Sequence, residues 1–220
     1  MATVVGLSYL AGSLPIVYLL GRTAGVDLRR YGSGNVGSHN LHSVAGPGIG
    51  LAGWLSDAAK GALPVLVTRR LARDEALAGM ALIGALAGQC WPPLLGWRGG
   101  RGVATLVGGM LTLTPRAAPW ALGAIAGIAG LRPLAQSPGL LPQPYGGAVR
   151  AGAVPIGVIV GTAIWPVVCA LRGNAGSSTA VAGAAAALLS VRRITANGWP
   201  KPGRRASVLL TRLLVDRDHW

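Results

Sequence analysis

Apolar residues fall in seven runs separated by short polar or basic linkers, and several runs are shorter than the ~20 residues of an ideal membrane span. The runs cover about Thr3–Leu20, Gly48–Thr68, Ala76–Leu95, Val103–Leu113, Ala117–Leu131, Gly152–Leu171 and Thr179–Val191. This pattern predicts an all-α polytopic membrane protein with about seven transmembrane helices. The first run has no basic stretch before its apolar core and no clear cleavage site, so it is expected to be an uncleaved span. The second carries Asp57 and Lys60 inside it, and the third ends in WPPLLGW. Thr114-Pro115-Arg116 splits the fourth from the fifth, and a Pro/Gly/Gln-rich stretch, Arg132–Arg150, is the longest later loop. The organisation reads as a membrane domain over residues 1–193 and a basic tail over 194–220, in which Ala206–Val215 is expected to form an amphipathic surface helix. There is no internal repeat and no soluble domain.

Two glycine-rich polar strings, YGSGNVGSHN (Tyr31–Asn40) and GWRGGRGVAT (Gly96–Thr105), interrupt this apolar pattern. In a bilayer such loops are tolerated where they line a cavity, because backbone groups left unpaired against lipid cost several kcal/mol each. Glycine lets successive N–H groups converge on one anion, and a basic residue within the loop supplies countercharge. Together the strings predict a protein that handles phosphate at the membrane face.

Composition supports a membrane class. Charged residues make up 12% of the chain and its mean hydropathy is +0.51, whereas soluble domains carry about 25% charged residues. The net charge of +14 would suit nucleic acid, but the basic residues lie in linkers between apolar runs, which fits anionic lipid headgroups instead. With seven spans, one face holds Arg22, Arg29, Arg30, Arg98, Arg101, Arg132, Arg150, Arg192, Arg193, Lys201, Arg204, Arg205, Arg212 and Arg217. The other holds Arg69, Arg70, Arg73, Arg116 and Arg172. The richer face is expected to be cytoplasmic, with the N-terminus outside and both glycine-rich loops inside. Cys90 and Cys169 sit in apolar runs without metal-ligand spacing and are expected to be reduced and structural.

Four strings in order, LSYLAGSLPIVYLLGR, VDLRRYGSGNVGSHN, LSDAAKG and GALAGQCWPPLLGWRGGRGVAT, carry a family resemblance. The chain resembles the bacterial acyl-phosphate-dependent glycerol-3-phosphate acyltransferases from about Leu7 to about Leu113, and more weakly to about Arg193. The resemblance implies seven spans in the plasma membrane, an outside N-terminus and a cytoplasmic active site. It also implies transfer of an acyl chain from acyl phosphate to the 1-hydroxyl of glycerol-3-phosphate, giving lysophosphatidic acid, with no metal or coenzyme. Acyl phosphate is a reactive mixed anhydride, so such a site has mainly to align two phosphorylated substrates and neutralise their charge.

The resemblance maps onto particular residues. Ser33, Gly34, Asn35, Gly37 and Asn40 match the family's first loop, with His39 where a threonine is usual. Asp57, Lys60 and Gly61 match its D-x-x-K-G string, and Gly99, Gly100 and Gly102 match its second loop around Arg101, which replaces a lysine. Gln89 stands where the family has a histidine, a serine pair before the sixth run has no counterpart, and Arg192-Arg193-Ile194-Thr195 lacks the family's closing pattern. The expected phosphate-holding set is therefore Ser33, Gly34, Asn35, Gly37, Asn40, Gly99, Gly100, Arg101 and Gly102. Asp57 and Lys60 are expected to orient the acceptor or organise the site.

Plainer readings stand beside these. Asp57 and Lys60, three apart, also suit a structural ion pair, and Arg101 also suits a positive-inside anchor. His39 is expected as a hydrogen-bonding filler, and Ser177-Ser178 as linker and helix cap. Two alternative functions fit the same chain: a catalytically degenerate paralogue that binds a lipid or glycerol phosphate, and a small transporter or lipid flippase.

Overall fold

The computed structural model describes residues 1–130 and 145–196, with Val208, Leu209 and Arg212 of the tail; between 145 and 154 it describes backbone alone. The described residues form helices and turns. They are α1 (Ala2–Ser13), α2 (Ile16–Thr23), α3 (Ser38–Ala45), α4 (Pro47–Ala72), α5 (Glu75–Cys90), α6 (Val103–Leu113), α7 (Ala118–Gly130), α8 (Tyr145–Leu171) and α9 (Gly176–Thr195). A 3-10 turn, Pro93–Leu95, follows α5. Most of the expected Ala206–Val215 helix lies outside the described residues.

Local chemistry sets the breaks. The first apolar run is interrupted at Leu14-Pro15, because proline disfavours the helical region for the residue before it and Leu14 is extended (ψ 122°). Gly46 takes a left-handed φ of 94° just before Pro47 opens α4. Arg73 and Asp74 alone reverse the chain between α4 and α5, and the Asp74 carboxylate accepts from the amides of Ala76 and Leu77. Three expectations are corrected. Tyr145–Arg150 belongs to α8, since no proline follows Pro144 until Pro155. Ser38, His39 and Asn40 are helical, opening α3 rather than extending the loop. Ser177 and Ser178 lie inside the first turn of α9, whose N-cap is Ala175, with no side-chain cap.

The exterior is apolar as well as the core, unlike that of a water-soluble bundle. On α1 the buried residues are Ser8, Gly12 and Ser13, while Leu7 and Leu10 are 64% and 60% exposed. Further exposed apolar residues, among them Leu51, Leu55, Leu63, Trp120 and Val167, lie on α4, α7 and α8. Such an exterior suits lipid. Two stretches, Ala2–Thr23 and Glu75–Leu95, have the length and apolarity of a membrane span. Small residues set the helix contacts. A Cβ on Gly12 would overlap the Ala85 carbonyl, and one on Gly88 the Tyr9 carbonyl, so α1 and α5 touch backbone to backbone. Gly61 and Gly108 do the same for α4 and α6, against the carbonyls of Thr105 and Ala58. The main core gathers Val65, Leu82, Leu86, Leu106, Met110, Trp165 and Leu189. Trp165 Nε1 donates to Thr114 Oγ1 at 2.9 Å, tying α8 to the α6–α7 turn. Cys90 and Cys169 are both free and buried.

Candidate active site

The first glycine-rich loop is folded around one side chain. Asn40 is 2% exposed; its Oδ1 accepts from the Ser33 amide at 2.9 Å. Its Nδ2 donates to the carbonyls of Leu28, Tyr31 and Asn35 at 3.0–3.1 Å. Gly32, at φ 64°, has no room for a Cβ because Asn40 Oδ1 occupies that place. Below the loop, Val17, Leu28, Val36 and Leu41 form a second small core. Ahead of it, the Asp27 carboxylate accepts from the amide and guanidinium of Arg29 at 2.9–3.1 Å. The Arg29 side chain holds the Asp27 carboxyl down to about 2. Arg29 also donates to the Tyr18 hydroxyl at 2.7 Å. Asn40 therefore shapes the loop and has its amide turned inward, while Ser33 and Gly34 are exposed and Asn35 is half-buried.

Asp57, Lys60 and Gln89 close a buried triangle. Lys60 Nζ donates to Asp57 Oδ1 at 2.9 Å and to Gln89 Oε1 at 2.8 Å, and Gln89 Nε2 donates to Asp57 Oδ2 at 2.9 Å. One helical turn separates Asp57 from Lys60 on α4, and the Gly61–Gly108 approach fixes that helix beside α6. Burying two charges is costly unless each is paired and hydrogen-bonded. The amide of Gln89 meets that requirement at both ends, bonding carboxylate and ammonium at once. Lysine has three ammonium protons and two are used here, so a third remains for a further acceptor.

The second glycine-rich loop is strapped down on both sides. The amides of Gly99 and Gly100 donate to the carbonyls of Cys90 and Gln89 at 3.3 and 3.1 Å. Their own carbonyls accept from Arg192, Gly99 from Nη2 at 2.7 Å and Gly100 from Nε at 3.1 Å. Arg192 is 4% exposed and its guanidinium lies 5.8 Å from the Trp91 ring centre. A Cβ on Gly99 would overlap the Gln89 carbonyl and the Pro92 ring, so only glycine passes there. Gly102, left-handed at φ 73°, caps the start of α6, and Arg101 beside it is half-buried.

A narrow cleft joins these parts. Its walls include Ser13 and Tyr18 at the broken first span, Val36 of the first loop, Lys60, Gln89, and Gly99 and Gly100 of the second loop. The structure thus brings Lys60, Gly99 and Gly100 to one place, with Asp57 bonded behind them. Ser33, Gly34, Asn35, Gly37, Asn40, Arg101 and Gly102 belong to the two flanking loops and do not form the walls. His39 is exposed on α3. Two residues emerge as more important than the sequence indicated. Gln89 was visible as a polar residue within an apolar run. Arg192 was not, because an arginine ending a span reads as a positive-inside anchor until the fold buries it.

The family model for glycerol-3-phosphate acyltransferase matches residues 2–137. A protein of Rubrobacter xylanophilus named glycerol-3-phosphate acyltransferase is 42% identical over 120 residues, covering 54% of this chain and 59% of that one. One of the same name from Geobacter sulfurreducens is 38% identical over 122 residues, covering 56% and 63%. The chain thus spans about three-fifths of the length of these relatives in alignment. Among solved structures, the crystal structure of PlsY (YgiH), an integral membrane glycerol 3-phosphate acyltransferase, in its glycerol 3-phosphate form superimposes with a TM-score of 0.75 at 24% identity, covering 99% of this chain and 94% of that one. The lysophosphatidic acid form of the same protein gives a TM-score of 0.74 at 23% identity. The fold is therefore shared over the described residues, and the family match over residues 2–137 includes the two loops and the buried triangle. The chain belongs to the glycerol-3-phosphate acyltransferase family.

Proposed function

We propose that this protein transfers an acyl chain from acyl phosphate to the 1-hydroxyl of glycerol-3-phosphate at the cytoplasmic face of the plasma membrane, with its N-terminus outside. The acceptor oxygen attacks the acyl carbonyl carbon, the carbonyl-to-phosphate C–O bond breaks, and the products are lysophosphatidic acid and inorganic phosphate, which carries the hydroxyl proton. The observation that supports this reading is the Lys60–Asp57–Gln89 triangle opening between two glycine-rich loops. The names of the relatives, and the glycerol 3-phosphate and lysophosphatidic acid forms of the structural neighbour, point the same way.

The bonding pattern refines the roles. The Gly99 and Gly100 amides already have carbonyl partners, so those glycines let the strap pass close to α5 and leave anion binding to other groups. Phosphate is held instead by Arg101 and by the first-turn amides of α6, which lack intrahelical acceptors. Asn35 and Ser33 flank the cleft on the first loop, where a substrate extending beyond its walls meets them, and Asn40 holds the backbone of both. Lys60 directs a proton at a substrate oxygen while Asp57 and Gln89 fix its geometry. Release of inorganic phosphate from palmitoyl phosphate by the purified protein, with and without glycerol-3-phosphate, tests this. Acceptor-dependent release is expected; release that ignores the acceptor refutes the transferase reading.

A further inference from the structure

The end of the bundle remote from the cleft holds a second concavity, of ≈ 390 Å³. Its lining includes Arg69, Glu75, Arg116, Asn174, Ala175 and Ser178, drawn from the α4–α5, α6–α7 and α8–α9 turns.

The groups around the recess favour an anion. Arg69 is pinned in place, its Nη1 donating to the Thr112 carbonyl and its Nη2 to the Leu113 carbonyl and Glu75 Oε2, each of the latter at 2.8 Å. That leaves Arg69 Nε buried with no acceptor. Arg116 stands exposed at the rim. Ser178 is 2% exposed and lines the recess. The N-terminus of α9 borders the recess through Ala175 and Ser178 and has no side-chain cap, so its first-turn amides lack intrahelical acceptors. The opposing groups are the Glu75 carboxylate, neutralised by Arg69, and Asn174 Oδ1, which is buried without a donor. Two arginines against one glutamate leave the lining net positive. An anionic ligand entering the recess meets the exposed Arg116 guanidinium at the rim and a lining of net positive charge.

We propose that this recess is a phosphate-group site, occupied by a phospholipid headgroup or by free phosphate, on the membrane face opposite the acyl-transfer cleft. It is separate in place and residues from the proposed activity and does not depend on it. The test uses the full-length protein in neutral detergent, with a trifluoromethyl label on the single exposed cysteine of Arg172→Cys; native Cys90 and Cys169 are buried. Fluorine NMR then follows titration with dioctanoyl phosphatidylglycerol, with inorganic phosphate, and with dioctanoylglycerol as the phosphate-free control. A saturable shift with phosphatidylglycerol alone assigns the site to lipid headgroups, and one with inorganic phosphate assigns it to phosphate itself. Arg116→Ala is expected to weaken binding about tenfold, the equivalent of one charge-assisted bond of ~1.4 kcal/mol. Ser178→Ala should weaken it less, and Arg116→Ala should leave phosphate release from palmitoyl phosphate unchanged. The proposal is overturned by the absence of a saturable shift with either phosphate probe, by an equal response to dioctanoylglycerol, or by unchanged affinity in both variants.

Discussion

Replacing Gln89 by leucine keeps the side-chain volume and removes both ends of the amide that spans the buried ion pair. The lost bonds are the 2.8 Å contact from Lys60 and the 2.9 Å contact to Asp57. Hydrogen bonds to charged groups contribute about 1.5–3 kcal/mol each, so an unrelaxed site loses ~3–6 kcal/mol. The direct Lys60–Asp57 bridge at 2.9 Å persists, since both residues sit on one helix, and this holds the cost near the lower end of that range. If one bond's worth of alignment is lost at the transition state, kcat/KM falls roughly 10- to 150-fold, at 1.36 kcal/mol per factor of ten. Gln89→His is the informative partner, because a neutral imidazole also presents one donor and one acceptor and should retain most of the activity. The assay is glycerol-3-phosphate-dependent formation of lysophosphatidic acid from palmitoyl phosphate in detergent, with thermal unfolding by circular dichroism run in parallel. A folded Gln89→Leu protein that keeps its activity within about threefold of the parent would refute the reasoning.

Gly61→Ala should push α4 off the Thr105 carbonyl and lower stability by about 1–3 kcal/mol, seen as an earlier thermal transition in detergent. Arg192→Leu removes the donors to both Gly99 and Gly100 carbonyls; activity should fall at least tenfold, with Arg192→Lys recovering little, because an ammonium cannot reproduce the guanidinium fork. The carboxyl of Asp27, at about 2, lies below its unfolded value of ~3.9, so its bond to Arg29 stabilises the fold fully above ~pH 5 and loses that contribution as pH falls toward 2. The difference in thermal midpoint between the parent and Asp27→Asn should accordingly hold from neutral pH to about 5 and shrink below it.

Helix positions were legible because apolar runs and their punctuation act locally. Val103–Leu113 is bounded by Gly102 and Thr114 in sequence and in the fold alike. The break at Pro15 was legible in principle, but the surrounding run is apolar enough to mask it. The polar triangle was half legible: a charged pair inside a span announces itself, whereas the partner on α5, 29 residues beyond Lys60, depends on helix packing. The loops show the main gap. Glycine spacing suggested amides converging on an anion, yet at Gly99 and Gly100 glycine serves close passage against α5 while the amides serve the loop itself. The task of Asn40 was hidden for a similar reason: a side chain folded back onto its own loop looks, in sequence, the same as one aimed at substrate.

Phosphorus NMR of one reaction mixture decides most directly whether the two loops and the buried triangle form an acyl-transfer site. Purified protein is incubated with palmitoyl phosphate and glycerol-3-phosphate, and all phosphorus signals are followed together. Acyl transfer requires that lysophosphatidic acid and inorganic phosphate rise in equal amounts while both substrates fall equally, and that Lys60→Met stops all four changes. Inorganic phosphate rising without lysophosphatidic acid, or a Lys60→Met protein that turns over like the parent, would contradict it.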